Sequence, residues 1–148
     1  MKLQSEPIFS ALYALLAALK PATFTTVSRR LSNVQDLAAE AFPAAYQVQG
    51  EQIINKKATN MPPVYDLRAS WILYAFDSDP SSAPSIGLNA LVDACRGALI
   101  PSLPGNNQNT LGGLVTQVAI DGTIEIFEGI LGDRAVAIIP IHIIAPGF

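Results

Sequence analysis

Apolar residues recur at helical spacing near the start of the chain. Ile8, Leu12, Leu15 and Leu19 form one stripe, Phe9, Tyr13 and Leu16 a second beside it, and Ala11, Ala14 and Ala18 a face of small side chains. The pattern predicts a first helix that Ser5 caps, that tolerates Pro7 in its first turn and that Pro21 stops. So little of its surface is polar that it should be buried on most sides, against the core or, in part, against a neighbouring subunit.

The signal then weakens. Residues 24–27 are β-prone and predict a short strand, and residues 44–49 alternate loosely and predict another. Residues 50–63 are polar and carry Lys56 and Lys57, as an exposed loop or a long hairpin tip would. Residues 64–76 alternate strictly. Tyr65, Leu67, Ala69, Trp71, Leu73 and Ala75 point one way, and Asp66, Arg68 and Ser70 the other, which predicts a strand. A loop dense in turn formers, residues 77–84, leads to a second helix at 85–100. Leu88, Leu91, Val92, Cys95 and Leu99 line its inner face, and Asn89, Asp93 and Arg96 its outer one.

The last third reads as a three-stranded meander. Leu114, Thr116, Val118 and Ile120 alternate up to Asp121-Gly122, a two-residue hairpin signal, after which residues 123–128 return. Residues 129–133 turn again, and residues 134–144 form a last strand that is apolar on both faces. Pro140 within it has no N–H for a ladder, so it belongs at an edge or a bulge. The order predicts one α+β domain over residues 1–148, with two helices packed on one face of a largely antiparallel β-sheet.

Composition sharpens this. Half of the 148 residues are hydrophobic, while 14% are charged, where about 25% is usual, so part of the surface is expected to be covered by other copies or partners. Disorder, collagen and a disulfide scaffold are excluded. The net charge is −3, and the basic pairs Arg29-Arg30 and Lys56-Lys57 are too short for a phosphate footprint, which argues against a nucleic-acid grip. The apolar run at residues 8–19 is too short to span a membrane, and Glu6 and Pro7 stand where a signal peptide would be basic. Cys95, the single cysteine, cannot form an internal disulfide. A cytoplasm is the expected compartment.

Candidate chemistry is sparse. His142, the single histidine, lies inside the apolar last strand, and Cys95 lies on the buried stripe of the second helix. One cysteine and one histidine make no zinc set, and Asp77 and Asp79 lack the glycine and distal glutamate of an EF-hand. Leu111-Gly-Gly-Leu114 opens onto no helix and is no phosphate loop. No metal or cofactor is expected and the chain is not expected to be an enzyme; were it one, His142 and Asp121 would be its first suspects.

The order of segments resembles the tail terminator family of long-tailed bacteriophages, the tail completion proteins of lambda-like phages. The matching stretches are Ile8-Phe-Ser-Ala-Leu-Tyr-Ala-Leu-Leu16, Arg29-Arg30, Pro43-Ala-Ala-Tyr46, Leu88-Asn-Ala-Leu-Val-Asp93 and Ala98-Leu-Ile-Pro101. Gln108-Asn-Thr-Leu-Gly-Gly-Leu-Val115 and Gly129-Ile-Leu-Gly-Asp-Arg-Ala-Val-Ala-Ile-Ile-Pro-Ile-His142 complete the likeness, which spans nearly the whole chain. The resemblance implies a structural virion protein, assembled in the host cytoplasm. It would form a homohexameric ring that caps the tail tube, ends tube polymerisation and offers a surface to the head–tail connector. DNA would pass through the lumen without specific binding, and no membrane is involved. The alternatives are a head–tail joining protein of the neck, a small binding module and an oligomeric enzyme. The last strand, with Val136, Ile138, Ile139, Ile141 and Ile143, is the expected subunit interface, with the first helix as a second choice. Asn55, Lys56, Lys57 and Asn60 are the expected contact with the tail tube protein.

Overall fold

The computed structural model describes residues 4–56, 58–100, 109–129 and 132–147. Among them, two helices, α1 (Ser5–Ala17) and α2 (Pro84–Leu99), accompany six strands. The strands are β1 (Thr26–Ser28), β2 (Ala44–Asn55), β3 (Val64–Phe76), β4 (Gln117–Ile120), β5 (Glu125–Gly129) and β6 (Gly132–Pro146). They form one sheet in the order β1-β2-β3-β6-β4, with β5 also paired to β6. All pairings are antiparallel except β1 with β2. The fold is α+β, with both helices on one face. No helix among the described residues is long and apolar enough to cross a membrane.

In α1, Ile8, Phe9, Leu12 and Leu16 are buried, as the stripes require. Ser5 does not cap it: Gln4 holds the N-cap position without a side-chain bond, and Ser5 is already helical. The helix ends at Ala17, short of Leu19, and tight turns such as Lys20 N–H to the Ala17 carbonyl at 3.1 Å close it before Pro21. Of its small-residue face, Ala14 and Ala18 are exposed, while Ala11 is half-buried and packs against the core. In α2, Pro84 occupies the first turn, where its missing N–H is no loss. Leu88, Leu91, Val92, Cys95 and Leu99 are buried, as expected.

β3 has the predicted bounds. Leu67, Ala69, Trp71, Leu73 and Ala75 meet the helices together with Ala135, Ala137, Ile139, Ile141, Ile143 and Ala145 of β6. Gln47, 1% exposed, is the buried polar side chain of this core. It donates to the Phe9 carbonyl at 2.9 Å and accepts from Trp71 Nε1 at 3.0 Å, tying α1 to the sheet. β2 continues past Gln49, through a bulge between Gln49 and Gln52, to Asn55, so of the two expectations for residues 50–63, an exposed loop or a long hairpin tip, the second holds: the segment is the outer part of a β2–β3 hairpin.

The opposite face has a second, smaller core at one end. There the segment 29–43, with two 3-10 turns (Val34–Asp36 and Ala39–Ala41), lies over the sheet. Val34 and Phe42 pack on Tyr46, Tyr74 and Val136, with Ile72, Phe76 and Ile138 at the margin. The Arg134 guanidinium stands over the Phe42 and Phe76 rings at 5.6 and 5.4 Å.

The expected meander is not formed. Asp121-Gly122 makes no hairpin: β4 and β5 follow one another along the same side of β6, and residues 121–124 lie opposite Pro140. Ile120 pairs with Ile141 and Glu125 with Ile138, so the outer run carries two extra residues across that gap. Pro140 is the cause, since it offers no N–H there, and its carbonyl alone is used, accepting from Asp121 N–H at 3.3 Å. Gly122 follows at φ +120°, and a Cβ on it would lie 3.3 Å from Pro140 Cγ. The alternation at residues 114–120 also shifts phase: Leu114 is 47% exposed, while Val115 and Val118 are buried.

Candidate functional site

β6 is a central strand, paired with β3 along one side and with β4 and β5 along the other. Of the two places expected for Pro140, this rules out an edge, and the two extra residues opposite it answer to the bulge. Ile139, Ile141 and Ile143 are at most 1% exposed under the helices, so they hold the fold together and offer nothing to a neighbour. Val136 and Ile138 face the other way and belong to the smaller core under residues 29–43. A strand apolar on both faces needs cover on both, and here the chain supplies it.

The free edges lie elsewhere. On one side, β1 pairs with β2 alone, with the outward Val27 carbonyl accepting from Tyr13 Oη at 3.1 Å, and β2 beyond Tyr46 has no outer strand partner among the described residues. On the other, β5 is outermost, and β4 is bordered by Asn109, whose carbonyl accepts from Val118 N–H at 2.8 Å. Such edges carry unpaired N–H and C=O groups. Exposed apolar side chains gather on both: Ile53 (37%), Ile54 (62%) and Met61 (56%) on the β2–β3 hairpin, and Ile126 (49%) and Phe127 (43%) on β5. Sequence reasoning missed them, although the consecutive pairs Ile53-Ile54 and Ile126-Phe127 break polar–apolar alternation. Asn55, Lys56 and Asn60 are exposed around the tip of that hairpin, and Lys57 lies outside the described residues.

The open end of the sheet face away from the helices carries a charged cluster. The pairing Arg68 with His142 and Asp66 with Ile144 sets Asp66, Arg68 and His142 on one surface. Asp66 Oδ1 contacts His142 Nε2 and accepts from Arg68 Nε at 3.2 Å. Asp121, delivered by the gap opposite Pro140, stands 3.2 Å from His142 Nδ1. The Asp66 bond and charge hold the Arg68 guanidinium above its ordinary pKa. A shallow cleft of about 280 Å³, lined by Gln117, Ala119, Asp121, His142 and Ile144, adjoins the imidazole.

The structure therefore brings together His142 and Asp121, and adds Asp66, which the sequence showed only as an outward position on its strand. Their arrangement ties strands together. Each ring nitrogen faces a carboxylate. The two carboxylates approach opposite sides of the ring and do not converge on one point; among the described residues no group of three or more His, Cys, Asp or Glu could hold a metal ion. In the 77–84 loop Asp79 accepts from Ser81 N–H and Oγ at 2.9 and 2.8 Å, which holds its carboxyl below the usual range. Cys95 is buried, and desolvation pushes its thiol up to about 12, away from the reactive thiolate.

No protein-family model matches the chain, and no curated protein matches it in sequence.

Proposed function

We propose that this chain is a ring-forming virion protein, a tail terminator that caps the tube of a long-tailed bacteriophage. In this reading a hexamer ends tube polymerisation and presents its far side to the head–tail connector. The near-full-length likeness in segment order suggests the family. The observation behind the reading is that β1 and β5, at opposite sides of one sheet, have no further strand partner among the described residues. A protomer with two different exposed edges is suited to head-to-tail contacts, and a head-to-tail contact closes into a ring when its rotation divides a full turn. The low charge fits a subunit whose flanks are covered. Six chains of net charge −3 make an acidic ring, which lets DNA pass without sticking.

The β2–β3 hairpin, with Asn55, Lys56 and Asn60 near its tip, is the proposed tube contact, and Lys57 of the same sequence segment is included in it. The test is to add the protein to polymerising tail tube subunits and measure tube lengths by negative-stain microscopy. The expected result is shorter tubes with a capped end, and a variant lacking residues 55–60 that still assembles but no longer shortens them. Tube lengths that do not respond to the wild-type protein would overturn the reading. Binding to the head's connector with no effect on tubes would assign the chain to the neck as a joining protein.

A further inference from the structure

We propose that copies of this chain meet head to tail along opposite edges of the sheet, the Arg30 end of β1 in one protomer against the Glu125 end of β5 in the next. The proposal rests on the ring reading above and names the contact that closes the ring.

Strand direction permits it. β2 and β6 are both antiparallel to β3, so they run the same way, and β1 is parallel to β2. β5 is antiparallel to β6, hence antiparallel to β1. Rotation about an axis along the strands preserves direction, so β1 of one copy runs antiparallel to β5 of the next; the outward Val27 carbonyl is already taken by Tyr13 Oη at 3.1 Å, so side chains rather than a backbone ladder make the contact. The levels match as well. One rung of the sheet runs Ser28, Tyr46, Ile72, Ile138, Glu125, and another Thr26, Ala44, Tyr74, Val136, Phe127. The two outer edges are thus the two ends of the same rungs.

Charge chooses the occupant. Arg30 and Glu125 are both exposed, and neither makes an ion pair among the described residues. Charges beside them are already engaged: Arg29 by Glu6 at 2.7 Å, Glu128 by the Ser85 N–H at 2.7 Å and Asp121 by His142. Leu31, 47% exposed, flanks the basic edge, and Ile126 and Phe127 the acidic one. One edge therefore complements the other edge of the same chain, which favours a second copy over an unrelated partner.

Charge reversal tests the contact. Arg30→Glu and Glu125→Arg each place like charges at the proposed contact, on exposed residues outside both cores. Each variant alone should keep the wild-type circular dichroism spectrum but run as a monomer in native mass spectrometry, at a concentration where the wild type is a ring. Mixed one to one, each variant supplies the charge the other lacks on alternating protomers, and the mixture should regain the even-numbered ring. Rings formed by either variant alone, or a mixture that stays monomeric, would overturn the edge contact and leave the ring itself standing. A wild type that is monomeric at every concentration also overturns the contact in the free protein, and tube capping then decides the terminator reading separately.

Discussion

The two faces of β3 and β6 are built by different means from the same strands. The helix face is dry and continuous: Leu67, Trp71, Leu73, Ile139, Ile141 and Ile143 are at most 1% exposed, with Gln47 as their buried polar companion. The other face is divided. One end is covered by residues 29–43, with aromatic rings and Arg134 beneath them, and the other is left open with Asp66, Arg68, His142 and Asp121. Alternation along a strand says which residues share a face. It does not say what covers that face, and the cover decides whether an isoleucine is core or contact.

The sharpest way to break the comparison is to put a charge on each kind of position. Ile139→Asp buries an unpaired carboxylate under the helices and should cost more than about 4 kcal/mol, giving no folded protein by circular dichroism. Ile126→Asp, on the half-exposed outer strand, should change stability by no more than about 0.5 kcal/mol.

A smaller effect probes the polar bridge of the helix face. Gln47→Leu strands the buried Trp71 N–H and removes the side-chain bond to the Phe9 carbonyl, so urea unfolding should show a loss of about 3 kcal/mol. Alkaline titration probes the same face more gently. Cys95 has its folded pKa raised from 9.0 to about 12, so its contribution is fully present below pH 9 and is lost as pH rises toward 12. Cys95→Ala should flatten the fall of melting temperature above pH 9, and a slope unchanged from wild type would contradict the assignment.

The open end should respond least. His142→Ala leaves Asp66 on Arg68 and Asp121 in solvent, and should cost about 0.5 to 1 kcal/mol by the same unfolding assay. A loss as large as that of Gln47→Leu would mean that the cluster carries the fold and that the two faces are less different than described.

Much of the fold was legible where one period dominates. β3 and α2 were placed to within a residue because strict alternation and a clean helical stripe leave no competing reading. The last third was not, because Asp121-Gly122 is a local hairpin signal, while the residue that decides its role, Pro140, lies on the partner strand. Residues 29–43 have no period at all, so the cover they lay over Tyr46, Tyr74 and Val136 is invisible in the sequence, and Pro140 alone leaves an edge and a bulge equally open for β6. The charged cluster shows the same limit. Each of its residues was visible, but only the register of Arg68 with His142 brings them together.

The central claim is that this chain assembles into a ring. Native mass spectrometry of the purified protein across a wide concentration range, with negative-stain images of the same samples, tests it most directly. The account predicts a mass six times that of the 15.7 kDa chain and ring-shaped particles. A monomer at every concentration that also leaves tail tubes growing would contradict it.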